Sequence, residues 1–133
     1  MVEAIRAAEK NTSGEIRVFV ESRNQYVDAI DRAQELFVQL KMNQTQHRNG
    51  VLVYVALTDR QVAVYGDSGI HQRVGKEYWD QALERMLRFF NGNDISQGII
   101  HCVMEIGSTL SKEFPYQAET DRNELPDEIV FGH

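Results

Sequence analysis

The oxygen-bearing residues of this chain gather into two sets. The first is Thr12, Ser13 and Glu15, then Arg48 and Asn49, then Asp67 and Ser68; the second is Glu21, Ser22, Arg23 and Asp28, then Thr58, Asp59 and Arg60. Carboxylates, an amide, hydroxyls and carbonyls loosened by neighbouring glycines are the hard oxygen donors that calcium or magnesium takes up. No nucleophile elbow, phosphate-binding glycine loop, paired-histidine metal motif or cysteine pair occurs. The four histidines, His47, His71, His101 and His133, are scattered, which disfavours a histidine-centred hydrolase. The lone Cys102 lies among Ile99, Val103 and Ile106 and reads as a small buried hydrophobe.

Whether either set can assemble depends on the elements that carry it. Glu15 to Glu21 alternates, with Ile16, Val18 and Val20 on one face and Arg17, Phe19 and Glu21 on the other, so it reads as a strand with both faces partly covered. A helix follows from Asp28, its N-cap, with Ile30, Ala33, Leu36, Phe37 and Leu40 as its buried stripe. Residues 42–49 read as a polar surface loop. From Asn49 to Gly69, two apolar runs flank Thr58-Asp59-Arg60 and form a β-hairpin. Strand, helix and strand make a right-handed crossover with parallel strands, and the hairpin adds a third strand antiparallel, so the sheet is mixed.

These directions send the two sets to opposite edges of the sheet. The starts of the first two strands meet the end of the third, which collects Glu15, Asn49, Asp67 and Ser68; the other edge collects Glu21, Asp28, Asp59 and Arg60. Donor chemistry favours the first edge, with Asp67 and Glu15 as metal ligands helped by Asn49. The habit of open α/β sheets to bind ligands beyond the carboxyl ends of parallel strands favours the second. Both edges stay open at this point, and turn and capping chemistry accounts for each without a ligand.

Further on, Trp79, Leu83, Met86, Leu87 and Phe90 predict a helix over 76–90. After Asn91 to Asp94, a second helix carries Ile95, Ile99, Cys102, Val103, Ile106 and Leu110 to Phe114-Pro115, with Gly98 and Gly107 set for close packing on the sheet. A short N-terminal helix is expected over residues 2–10. The organisation expected is one α/β domain over residues 1–116 and an acidic, extended tail over 117–133, able to dock through Leu125, Ile129, Val130 and Phe131.

The 133 residues carry a net charge of −6, which disfavours nucleic acid and anionic membranes and suits cations or basic partners. No stretch is long and apolar enough for a membrane span, and no basic region precedes an apolar one at the N-terminus, so the chain reads as cytoplasmic.

Glu9 with Thr12-Ser13-Gly14-Glu15-Ile16, Leu36-Phe37, Arg48-Asn49-Gly50-Val51-Leu52, Asp59-Arg60, Gly66-Asp67-Ser68-Gly69-Ile70 and Phe114-Pro115 together resemble the TPM domain family, in its soluble bacterial branch. That family includes a thylakoid lumen protein of photosystem II repair. The resemblance implies a three-layer α/β/α sandwich around a small mixed sheet of three to four strands with about four helices. It further implies divalent cation binding, calcium in particular, and the weak acid phosphatase activity reported for some members. The family's Asn-Gly, Asp-Arg and glycine-turn elements fall on Asn49-Gly50, Asp59-Arg60 and Gly66 to Gly69, which makes Asn49, Asp59, Arg60 and Ser68 candidate binding residues. Two functional expectations follow: a calcium- or magnesium-binding domain with weak metal-assisted phosphatase activity, or a non-enzymatic module that contacts protein partners through its acidic surface or tail.

Overall fold

Two buried faces on one short strand decide the architecture. In the computed structural model, which describes residues 6, 12–24, 28–91, 94–115 and 129–131, strand β1 (Glu15–Glu21) is buried along its whole length. Ile16, Val18 and Val20 enter one apolar cluster and Phe19 another, so the strand is covered above and below. Helix α1 (Ala29–Gln39) carries the chain to β2 (Gly50–Ala56), which pairs parallel to β1 with Glu15 opposite Gly50 and Glu21 opposite Ala56. A tight turn leads into β3 (Gln61–Gly66), antiparallel to β2, and β4 (Ile129–Phe131) lies parallel along the other side of β1. The mixed sheet has the order β3-β2-β1-β4.

Asp28 caps α1, accepting a 3.1 Å hydrogen bond from the Ile30 N–H. The helix lays Ala33, Leu36 and Phe37 on Phe19, Leu52 and Tyr54. Helices α2 (Ser68–Asn91) and α3 (Ile95–Glu113) cover the opposite face, where Trp79, Met86, Ile99, Val103, Ile106 and Leu110 pack with the sheet valines. The result is the three-layer α/β/α sandwich that the family resemblance implies.

The details depart from expectation in places with physical reasons. Three α-helices stand among the described residues rather than about four. Of the helix expected over 2–10 only Arg6 is described, and it is helical. α2 starts at Ser68 instead of near residue 76, because Asp67 turns the chain into it: its carboxylate accepts from the Ser68 N–H at 2.7 Å and its carbonyl from the His71 N–H at 2.9 Å. Gly75, at φ 79° and ψ 170°, then breaks α2 into two arms, a conformation nearly confined to glycine. Leu87, which shares the helical spacing of Trp79, Leu83 and Met86, is exposed. Gly98 packs on α2 rather than the sheet, since a Cβ there would lie 2.6 Å from the Cβ of Phe89. The 42–49 segment is less superficial than its polarity suggests: Met42 opens a 3-10 turn (Met42–Gln44) and is fully buried. Of the tail, Ile129–Phe131 form β4, while residues 116–128 lie outside the described residues. No helix among the described residues is long and apolar enough to cross a membrane.

Candidate functional site

At the edge where β1 and β2 begin and β3 ends, three chain segments are tied together by polar groups. The first is anchored to α3. The Thr12 hydroxyl, buried, is shared between the carbonyls of Leu110, at 2.8 Å, and Phe114, and accepts from the Gly14 N–H at 3.1 Å. The Ser13 N–H donates to the Phe114 carbonyl at 2.9 Å. These bonds close the C-terminal end of α3, whose last carbonyls have no partner within the helix, and set the position of Glu15.

The second segment, residues 45–50, is held against α2. Gly69 and Ile70 donate their N–H groups to the Arg48 carbonyl at 2.7 and 3.3 Å. Arg48 itself sits at φ 51°, and this turn aims its guanidinium at the third segment. Its Nε and Nη2 donate to the two oxygens of Asp67 at 2.7 and 2.8 Å, a bidentate ion pair with the aspartate buried and the arginine half exposed. The Asp67 hydrogen bonds hold the Arg48 guanidinium above its ordinary pKa. The first N–H groups of α2 are thus all engaged by Asp67 and Arg48, so this helix end offers no ready cradle for a phosphate.

Between these segments lies Asn49, fully buried. Its Nδ2 donates to the Ser13 hydroxyl at 3.3 Å, while its Oδ1 is out of contact with solvent and has no hydrogen-bond partner among the described residues. A buried amide oxygen left without a donor is costly, of order 1–3 kcal/mol. Glu15, on β1 opposite the residue that follows Asn49, is also buried.

The opposite edge is satisfied by the protein itself. Arg32 of α1 grips both oxygens of buried Glu21 at 3.0 and 3.1 Å, and the Tyr54 hydroxyl donates to the same carboxylate. Burial, then that hydrogen bond, push the Tyr54 phenol well above its ordinary pKa. Asp59 accepts from the Asn24 N–H at 2.7 Å, and the Asn24 amide donates to Gln61 at 2.6 Å, which fastens the β2–β3 turn to the end of β1. Arg60 occupies that turn at φ 52°.

The six candidate residues therefore divide. Glu15, Asn49, Asp67 and Ser68 share one edge, with Ser68 exposed; Asp59 and Arg60 lie a strand length away, about 20 Å. Among the described residues no three His, Cys, Asp or Glu side chains form a metal-ligating group, so a cation at either edge needs amide and carbonyl oxygens as well. Sequence reasoning missed the Arg48–Asp67 pair and the Glu21–Arg32–Tyr54 cluster. One signal for the second was legible: a glutamate on the Phe19 face of a doubly covered strand requires a buried partner.

Comparison with known proteins agrees with this architecture. The structure superposes on the NMR structure of BA42 protein from the psychrophilic bacterium Bizionia argentinensis with a TM-score of 0.89 at 42% identity, covering 98% of this chain and 89% of that one. It also matches the solution NMR structure of the N-terminal domain of cg2496 from Corynebacterium glutamicum, TM-score 0.58 at 14% identity over 99% and 74% of the two chains, a likeness of fold alone. No protein with a curated description matches. The TPM domain profile matches residues 1–109, which include β1, α1, the hairpin, α2 and most of α3. With that match spanning most of the chain and a structural relative at 42% identity, the chain belongs to the TPM domain family.

Proposed function

We propose that this TPM domain binds a divalent cation, calcium or magnesium, at the edge formed by Glu15, Asn49 and Asp67, and that any phosphatase activity is weak and depends on that cation. The observation that carries the reading is the Asn49 Oδ1, a wholly buried oxygen with no donor among the described residues, next in sequence to the β2 residue that pairs with Glu15. Two carboxylates and an amide oxygen, completed by backbone carbonyls or water, suit the adaptable coordination of calcium better than the strict octahedron of magnesium. A bound cation supplies charge to hold phosphate oxygens and to acidify water. The chain's own residues do the positioning: Ser13 orients the Asn49 amide, and Arg48 holds the Asp67 carboxylate.

Arg48 also competes, because its guanidinium occupies both oxygens of Asp67. Affinity in the native protein is therefore modest. Isothermal calorimetry with calcium and magnesium on the native protein, Asp67→Ala and Arg48→Ala tests this. The expected order is Arg48→Ala tightest, native intermediate, Asp67→Ala weakest. Unchanged affinity in Asp67→Ala removes the ligand set, and hydrolysis of an aryl phosphate that survives chelation undiminished removes the cation from the activity.

A further inference from the structure

Among the described residues strand β3 ends the sheet, and nothing in its sequence protects it. Edge strands normally carry lysine, proline or a bulge, or are very short, because a row of unpaired N–H and C=O groups recruits other chains. At the other edge β4 has only three residues. β3, with the sequence Gln-Val-Ala-Val-Tyr-Gly, has six residues, no lysine or proline, and unbroken register with β2 from Gln61 to Gly66. α1 and α2 flank it from the two faces and leave between them a groove of about 730 Å³ whose floor is Val62 to Gly66. One wall presents Ala29 and Ile30, the other Trp79 and Leu83. Trp79 is held in place by its indole N–H, which donates to Nδ1 of His71 at 3.0 Å.

We propose that β3 is the docking strand for an extended segment of another polypeptide, rich in apolar and basic residues, which joins the sheet as a further strand in this groove. Size argues for a strand. With about 3.3 Å of rise, 4.8 Å of strand spacing and 10 Å of sheet thickness, an added residue needs roughly 160 Å³, so the groove holds four to five residues.

The walls also decide between a bare segment and a second copy of this chain. α1 and α2 both line the groove beside β3, and a second molecule pairing through its own β3 would bring two more helices against them. The charges facing the groove are Asp28 on the α1 wall, Asp80 and Lys76 on the α2 wall, and the Arg48–Asp67 pair, which neutralises itself. Two exposed carboxylates against one ammonium, on a chain of net charge −6, select a basic ligand. In this mode main-chain hydrogen bonds supply affinity, and alternate side chains meeting Trp79 and Leu83 on one side and Ala29 and Ile30 on the other supply specificity.

The test is selection of binders from a displayed library of random decapeptides on the native protein. Synthetic copies of the enriched sequences are then titrated into the native protein, Asp80→Lys and Ala29→Trp, and hydrogen exchange is followed by NMR. Expected are peptides that combine apolar residues with lysine or arginine, new protection of alternate β3 amides, and about tenfold or greater loss of affinity in each variant. Asp80 is exposed, so the first variant changes charge without touching the core. Enriched peptides that bind both variants as tightly as the native protein, that protect amides outside β3, or that are acidic overturn the proposal. So does failure to enrich any peptide, or protection of β3 that rises with protein concentration in the absence of peptide, which identifies a second copy as the occupant.

Discussion

Gly69 lies in the first turn of α2, where helix propensity alone makes Gly69→Ala favourable by up to about 1 kcal/mol. The structure reverses the sign. A Cβ at this position would sit 2.1 Å from the carbonyl oxygen of His47 and 2.6 Å from that of Arg48, both main-chain atoms with no rotamer to yield. The 45–50 segment must back away by about an ångström, at an overpacking cost of roughly 1–3 kcal/mol. That movement lengthens the Gly69 and Ile70 bonds to the Arg48 carbonyl, each contributing about 1 kcal/mol. Less the propensity gain, Gly69→Ala is expected to destabilise by about 2–4 kcal/mol. With a urea m-value of about 2 kcal/mol/M, the midpoint falls by about 1–2 M at constant m. The native domain retains enough stability for the variant to fold in buffer. A midpoint that stays put or rises refutes the reasoning, because it means the loop and the helix are not in main-chain contact.

Thr12→Val keeps shape and removes the hydroxyl that joins the β1 approach to the end of α3, taking the acceptor from the Gly14 N–H and one donor from the carbonyls of Leu110 and Phe114, which keep only their main-chain donors. A loss of about 1–3 kcal/mol is expected, seen as a melting temperature lower by roughly 5–10 °C, and an unchanged melting temperature contradicts the assignment. Burial, then the nearby Glu105, push the Cys102 thiol up to about 12 from 9.0. The folded state holds this proton more tightly than the unfolded one, so the contribution is fully present below pH 9 and is lost as the pH rises toward 12. Chemical denaturation measured across that window should give a falling stability whose slope is shallower in Cys102→Ala. Tyr54 and Tyr78, both raised by burial, contribute to the slope that remains. An identical slope in both proteins would place the thiol in water.

The stripe on α1, the alternation of β1 and the turn at Thr58 to Arg60 are local patterns, because side-chain direction repeats every 3.6 or 2 residues whatever surrounds it. The crossover rule then orients β1 and β2, which is why the convergence of Glu15, Asn49 and Asp67 on one edge, and of Asp59 and Arg60 on the other, could be read before any coordinates. The start of α2 was not legible at Ser68, because Gly66-Asp67-Ser68-Gly69 has the composition of a turn and only the tertiary contacts of Arg48 with Gly69 and Asp67 decide for a helix.

Pairing is where sequence stops. Asp67 had Arg48 and other cations within reach along the chain, and Glu21 had several; which guanidinium arrives depends on a left-handed residue at 48 and on the roll of α1 over the sheet. The orphaned Asn49 oxygen and the open groove along β3 are likewise properties of what three layers leave uncovered. Sequence by itself determined the layers, the directions of β1, β2 and β3, and the family. Tertiary structure alone decided which polar groups satisfy one another and which face a ligand, because hydrogen bonds and ion pairs form between residues brought together across the fold, and no local period encodes their partners.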